Sequence, residues 1–336
     1  MKHVGSRRGI PFAGKVLVSG DRSFFAYHLM PELEKRWSFA DFIKIGGTSF
    51  FDLTRPNHVS TLFNSIETNH GPIRTVIHFA AMSGGILDNI RHQGRYWYNN
   101  MMMGINMLEE CAKPNRVVQK LVMFLGGCSY PDQKDRLDPF KEEDLWDGLP
   151  AETSLGYSFA KKSLLIGAWA YEKEFGLKTS FLLPTNPIGE FDNVSEEQSH
   201  APMAFIRKFI EARDEGYGTV TLLGTGKPVR DFIDIKDIAR VFPDLVSDFN
   251  ELGPINISTG RGTTIEELAV TIADAVGYKG SIRWDTSKPD GQAVKILSNE
   301  KLLNFLKKKG IEWRPTPLTE TIPRVVEWFE KRVWRK

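Results

Sequence analysis

The stretch Lys15 to Ala26 reads KVLVSGDRSFFA, and its reading decides the fold. The run KVLVS is almost continuously apolar and β-branched, as a strand buried on both faces is. Gly20 breaks the run, and a helical pattern follows. Strand, glycine turn and helix in that order begin a dinucleotide-binding βαβ unit. The full motif wants three glycines: one for the turn, one for close approach of backbone to pyrophosphate, one for helix–strand packing. Here Gly20 holds the first position, while Ser23 and Ala26 fill the other two. An ordinary strand-to-helix turn is the competing reading. In the cofactor reading Gly20, Asp21, Arg22, Ser23, Phe24, Phe25 and Ala26 form the binding turn.

Outward from this turn, the pattern repeats. Apolar runs stand at FIKIG (42–46), TVIHFAA (75–81), KLVMFLG (120–126) and LKTSFLLP (177–184). Helical spacing separates them. Trp97 to Ala112 carries Met101, Ile105, Leu108 and Ala112 three or four residues apart, and Tyr157 to Glu174 carries Ala160, Leu164, Ala168 and Tyr171. The alternation predicts right-handed crossovers and an α/β fold with a doubly wound, Rossmann-type parallel sheet. After Pro184 the pattern becomes irregular. TVTLLG (219–224) reads as a strand, and Phe205–Ala212, Ile265–Val276 and Leu318–Lys331 read as helices. FIDI (232–235) and INIST (255–259) read as late strands that could rejoin the sheet. The expected division is a dinucleotide-binding domain of residues 1–183 and 232–264, with a smaller α+β domain of residues 184–231 and 265–336 binding the substrate.

Composition removes whole classes. Among 336 residues, 44 Lys and Arg offset 42 Asp and Glu, a net charge of +2. That balance argues against a nucleic-acid binder, which wants a basic excess. No apolar run reaches the ~18 residues of a membrane span. The N-terminus lacks the apolar core of a secretory signal, so a cytoplasmic protein is expected. Two cysteines, Cys111 and Cys128, exclude a disulfide framework and a cysteine-rich metal site. No metal is expected.

Tyr157-Ser158-Phe159-Ala160-Lys161 puts a phenol and an ammonium one helical turn apart. A lysine beside a phenol favours the phenolate. It can also hold a nicotinamide ribose, leaving the tyrosine to serve as acid or base while hydride moves. Chance alone produces such a spacing often, and the preceding parallel-sheet pattern gives it weight. Arg22 can pair a ribose 2′-phosphate, and no acidic residue follows the second strand at Gly46-Gly47, so NADP(H) is expected over NAD(H), which stays possible. A surface arginine is the bland alternative. Asp52 and Leu53 fall where such folds contact adenine.

With these pieces in place the chain resembles the extended short-chain dehydrogenase/reductase enzymes of nucleotide sugars, and within them the GDP-L-fucose synthase subgroup. The resemblance runs from Lys15 to Trp328. It is carried in order by HFAAMSGGILDNI (78–90), NNMMMGINML (99–108), GYSFAKK (156–162), PTNPIGEFDN (184–193), SHAPMAFIRKF (199–209), GTGKPVRDFIDIKDIA (224–239) and SKPDGQAVKILSNEKL (287–302). The resemblance implies NADP(H)-dependent 3,5-epimerisation and 4-reduction of GDP-4-keto-6-deoxy-mannose. It implies that Tyr157 is the acid of the reduction and Lys161 its ribose-holding partner. Cys128 then exchanges protons at C3 and C5, with His200 as partner acid. Alone, Cys128 would be read as a core thiol and His200 as a loop histidine. Ala80, Ala81, Leu125, Gly126, Gly127, Pro184, Thr185, Asn186 and Pro187 are implied to border the cofactor, Asn186 the sugar as well. Arg207, Lys208, Arg230, Lys288 and Asp290 are implied to bind the GDP-sugar, with Leu223 where the subgroup stacks a tryptophan. It further implies a homodimer in which the helices around 97–112 and 157–174 build a four-helix bundle.

One departure concerns the chemistry. Where the family has Ser or Thr four residues before the tyrosine of the Tyr130-Pro131 pair, this chain has Gly126. Ser129 is the nearby hydroxyl, expected to face away if the strand continues. A missing donor of this kind costs about 2.7–4 kcal/mol of transition-state stabilisation. Three outcomes fit: a fucose synthase with a shifted hydroxyl, an epimerase or reductase of another GDP-sugar, or a weakened relative that binds and turns over slowly. A non-catalytic nucleotide-binding protein would have no reason to keep Tyr157, Lys161, Cys128 and His200 together. A 4,6-dehydratase would want an acidic pair near Cys128, and GGCSYP (126–131) offers none.

Overall fold

The computed structural model describes residues 14–47, 51–133, 135–195, 199–251, 253–287, 290 and 292–334. The first half alternates as expected: β1 (Lys15–Ser19), α1 (Phe24–Arg36), β2 (Asp41–Ile45), α2 (Pro56–His70), β3 (Ile73–His78), α3 (Ile86–Arg91), α4 (Gln93–Ala112), β4 (Lys120–Phe124), α5 (Leu155–Phe175) and β5 (Lys178–Pro184). The rest comprises β6 (Asn186–Ile188), α6 (Ala201–Asp214), β7 (Thr219–Leu223), β8 (Val229–Arg230), β9 (Phe232–Asp234), α7 (Ile235–Asp248), β10 (Pro254–Ile257), β11 (Thr263–Thr264), α8 (Ile265–Val276), β12 (Ser281–Asp285), β13 (Val294–Lys295), α9 (Glu300–Lys308) and α10 (Leu318–Phe329).

Six parallel strands form the main sheet in the order β10-β5-β4-β3-β1-β2. Side chains of one strand point alternately to two apolar layers. Val16 and Val18 enter a core with α1 and α7, while Leu17 between them enters a core with α2, α4 and α5. Both faces are covered, which is why these strands read as unbroken apolar runs. The winding direction reverses between β1 and β3, and ligands of such sheets bind beyond the carboxyl ends at that switch.

Two expectations are corrected. INIST supplies β10 at the sheet edge, but FIDI does not rejoin: β9 pairs with β6 in a separate two-stranded sheet. Its residues are so short an apolar run that sequence alone does not choose the partner. Residues 265–336 also do not stay with one layer. Leu302 and Leu306 of α9 pack into the α1–α7 core, because α9 returns to cover β10. A third core gathers α6, α8, α10, β7 and β12 around Phe209, Leu222, Ile272 and Phe329. Helix α8 begins on a reciprocal cap, with Thr264 Oγ1 accepting from Glu267 N and the Glu267 carboxylate accepting from Thr264 N.

Candidate active site

Gly20 turns the chain at the end of β1 with φ of +77°, where only glycine is at ease. A β-carbon there would meet the backbone nitrogen of Ala80 at 2.5 Å, so the missing side chain lets the end of β1 pack directly against the backbone that follows β3. Gly20 N and Asp21 N both donate to Ile45 O, tying the turn to the end of β2. Ser23, in the second glycine position, is the N-cap of α1, and its hydroxyl accepts from Ala26 N at 3.2 Å. Ala26 is buried. Phe24 and Phe25 turn into the core, Phe25 lying 5.3 Å from Phe124, which leaves their backbone for any ligand. Arg22 is exposed, and its stem and the Asp21 carboxylate fill the space a side chain on Gly46 would need. Asp52 is drawn into its own turn, its carboxylate accepting from Thr54 N and Oγ1. Leu53 is buried, with its carbonyl accepting from Asn106. Ala81 is exposed, and Leu125 is buried with its N–H on Leu182 O.

Beyond β4 the chain does not continue as a strand. Gly127–Ser129 makes a 3-10 turn after the extended Gly126, and this turn brings Cys128 back toward α5. A β-carbon on Gly126 would lie 3.2 Å from Cys128 Sγ, 3.4 Å from Tyr157 Cε1 and 3.7 Å from Tyr157 Oη. Thiol and phenol therefore converge on one α-carbon. Lys161 sits one turn further along α5, with Nζ 5.9 Å from the Tyr157 ring centre. Burial pushes the Tyr157 phenol well up, helped by the Cys128 and Tyr96 groups beside it. Burial pulls the Lys161 ammonium down to about 8, with Cys128 opposing. His78, bonded to Ser19 Oγ at 2.7 Å, is driven to about 3 by burial and by Lys161, so it is neutral. Ser129 is fully buried, and among the described residues its hydroxyl meets no hydrogen-bond partner.

Three neighbours of this cluster were not anticipated. Tyr96, buried in α4, stands edge-on to Tyr157 at 6.3 Å and donates its hydroxyl to Asp88. Gly84 makes room for that pair. Lys295 of β13 lies beside Arg230 of β8 in register. Burial pulls its ammonium down, while the charges of Cys128 and Asp132 push it up. Its signal was present in QAVKIL, inside a stretch already singled out, but nothing local marks Lys295 over Lys288. Asp231 is fully buried, and its carboxylate accepts from Thr259 Oγ1 at 2.6 Å and Gly260 N at 3.1 Å. Its carbonyl anchors Thr185 Oγ1 and Asn186 Nδ2 at 2.9 and 2.7 Å, holding the Pro184–Pro187 segment against the site.

The remaining candidates divide. Arg230 is half-buried near Asp132 and Asp290, and Asp290 accepts from Thr225 N and Oγ1. Arg207 donates to Val194 O and covers the Phe329 ring, and Lys208 donates to Thr221 O. Both are engaged by their own domain. Leu223 is exposed at the end of β7. Lys288 lies outside the described residues. His200 caps the backbone of α6 and pairs with Asp192 at 3.6 Å. Among the described residues no hydrogen bond or ion pair joins it to Cys128. No cluster of metal-ligating side chains and no helix long and apolar enough to cross a membrane occurs among the described residues.

Residues 16–257 match the model of the NAD dependent epimerase/dehydratase family. The chain is 35% identical over 283 residues to the GDP-L-fucose synthase of Sinorhizobium fredii, covering 84% of this chain and 85% of that one. It belongs to this family, in its GDP-L-fucose synthase subgroup. The chain is also 32% identical to the GDP-L-colitose synthase of Yersinia pseudotuberculosis, over 76% of this chain and 80% of that one. Its structure superposes on the NADP-bound GDP-L-fucose synthetase of Naegleria fowleri with a TM-score of 0.83 at 26% identity, over 96% of this chain and 95% of that one. The protein is an NADP(H)-dependent epimerase/reductase of a GDP-sugar. The residues present fit the cofactor: the positive-φ turn at Gly20 leads into the N-terminus of α1 at the switch point, and the buried Lys161 ammonium stands beside the Tyr157 ring.

Proposed function

We propose that the substrate is GDP-4-keto-6-deoxy-mannose, and that this enzyme epimerises it at C3 and C5 and reduces it at C4. The observation that carries the reading is the convergence of Cys128 Sγ and the Tyr157 phenol on the Gly126 α-carbon. A C4 ketone acidifies its neighbouring protons. Cys128 removes them as the thiolate, and Lys161 and Lys295 supply positive charge beside the sulfur. His200 protonates the opposite face of the sugar. NADPH, when bound, supplies the hydride for C4. Tyr157 is kept protonated by burial, which suits it to give its proton to the C4 oxygen, with Lys161 beneath the phenolate that results. Arg230 and Lys295 form the cationic pair for the diphosphate, in the manner of charge-assisted binding.

The test is incorporation of deuterium from heavy water at C3 or C5 without NADPH. Uptake that Cys128→Ser slows strongly supports the reading. If no deuterium enters while another 4-keto sugar is reduced efficiently, the protein is a plain C4 reductase and Cys128 a packing thiol. Exposed Leu223, where the subgroup stacks a ring, favours that second substrate reading, so the rate with other GDP-4-keto sugars belongs in the same experiment.

We also propose that two copies pair through α4 and α5. Trp97 and Ile105 of α4, with Phe159 and Ile166 of α5, are large apolar side chains left exposed along two helices that pack on each other. Such a stripe marks an interface between chains. Light scattering at micromolar concentration that returned the single-chain mass would remove the dimer.

A further inference from the structure

We infer that Asp192 is a positioning residue for His200, holding the imidazole by Nδ1 so that Nε2 is presented to the sugar. The inference rests on the proposed role of His200. Asp192 Oδ2 lies 3.6 Å from His200 Nδ1, and the two side chains differ sharply in exposure, 9% for the carboxylate and 53% for the imidazole. A carboxylate this buried costs desolvation unless a positive group faces it. The imidazole also needs the carboxylate. His200 occupies the N-cap of α6, where the partial positive charge of the helix end disfavours an imidazolium. Its ring makes no cap hydrogen bond, so it is not consumed by the helix. Asp192 offsets the helix end, and the histidine pKa is raised above its ordinary value with the Asp192 bond as the largest cause.

The segment before Asp192 is built to hold it. Phe191 has φ of +67°, a left-handed conformation that a bulky residue adopts only under constraint. Its ring is clamped 3.6 Å from Tyr27 and 5.1 Å from Trp328. Asp192 Oδ1 then accepts from Asn193 N at 2.7 Å, and the Asn193 side chain accepts from Ser195 N at 2.9 Å. One carboxylate oxygen fixes the turn and the other faces His200. Among the described residues Asp192 is the charged group that faces the imidazole. Neighbouring Glu190 is taken by Arg324 and Lys236, and Arg207 of α6 turns to Val194 O. The arrangement repeats the logic by which a carboxylate fixes the tautomer of a catalytic histidine.

The experiment uses the full-length protein and the imidazole proton resonances, with the His200 signal identified by its absence in His200→Gln. Asp192→Asn is expected to lower the His200 titration midpoint by about one unit, equivalent to tenfold in proton affinity. Deuterium exchange into the sugar at neutral pH should fall by up to about tenfold and recover toward acid, its profile following the shifted midpoint. Asp192→Glu should restore part of both. NADPH affinity, measured by fluorescence, should stay at the wild-type value in each variant, which certifies the fold. An unmoved midpoint, or an exchange profile that ignores a moved midpoint, overturns the inference. If exchange survives in His200→Gln, the proposed role of His200 fails, and that failure is separate because the midpoint still reports the pair.

Discussion

Gly126→Ser probes the site where space and chemistry compete. The backbone there is extended, φ −115° and ψ 151°, so serine brings no conformational strain. Its β-carbon would stand 3.2 Å from Cys128 Sγ and 3.4 Å from Tyr157 Cε1, which requires the thiol to move by a few tenths of an ångström. Forcing such a side chain off its rotamer costs about 0.5–1.5 kcal/mol. A hydroxyl beside Tyr157 Oη would return a donor to the C4 oxygen, worth about 2.7–4 kcal/mol. The net gain is about 1.2–3.5 kcal/mol, or roughly 8- to 400-fold in the hydride step. Single-turnover oxidation of NADPH with the 4-keto sugar measures it, and deuterium uptake in the same samples should slow, because the displaced thiol is the proposed exchange base. Gly126→Ala carries the β-carbon without the hydroxyl and separates the two effects: it should show the slowed exchange and no gain in reduction. A serine variant that reduces more slowly than the alanine variant, with NADPH binding intact, would refute the reasoning.

Tyr157→Phe should lower reduction by roughly 10²- to 10⁴-fold, the usual worth of a placed acid, while thermal unfolding stays near wild type; turnover within a few-fold would remove Tyr157 from the acid role. With Lys161 drawn down to about 8, the ammonium is present at neutral pH and is lost as pH rises through that value, so kcat/KM for reduction should fall on an alkaline limb near pH 8. A rate flat to pH 10 (roughly the ordinary lysine range) would mean the ammonium is not needed. Arg22→Ala should weaken NADP binding by about tenfold and leave NAD nearly unchanged, by isothermal titration; an equal loss for both would mean that Arg22 serves something other than the 2′-phosphate.

How much of this could be read from the chain depends on whether a feature is local. The five strands of the first half were legible because both faces are covered, which leaves a continuous apolar signature in KVLVS and its fellows. β9 was not placed, since a three-residue strand carries no information about which neighbour it meets. Tyr157 and Lys161 share one helix, so their spacing shows them together. Cys128 joins them only through the 3-10 turn, which the expected strand continuation did not contain. Tyr96, Asp231 and Lys295 are brought in by α4, by the loop after β8 and by β13. The residues they meet there, Tyr157, Thr259 and Arg230, lie far away in sequence, and no spacing rule reaches that far. Phe24 and Phe25 fall within the glycine-turn pattern yet face the core, because the helix they open turns its first residues inward.

The departures from the glycine pattern have separate physical causes. Gly20 is irreplaceable twice over: its φ is positive, and Ala80 occupies the place of a β-carbon. Ser23 stands where the chain enters α1 in an extended conformation, φ −73° and ψ 155°, which any residue adopts, and its hydroxyl caps Ala26 N. A cap of that kind contributes about 1 kcal/mol to the helix relative to alanine and about a few tenths relative to glycine. The two positions therefore answer different requirements, and losing a glycine at one says nothing about the other. Gly126 belongs with neither. Its backbone would accept serine, and its neighbours are what resist: Cys128 Sγ and the Tyr157 ring both crowd the place its β-carbon would take. The absent hydroxyl at residue 126 and the close thiol at residue 128 are one feature, with the thiol proposed for proton exchange and the phenol proposed as proton donor both crowding the space where a serine side chain would otherwise stand.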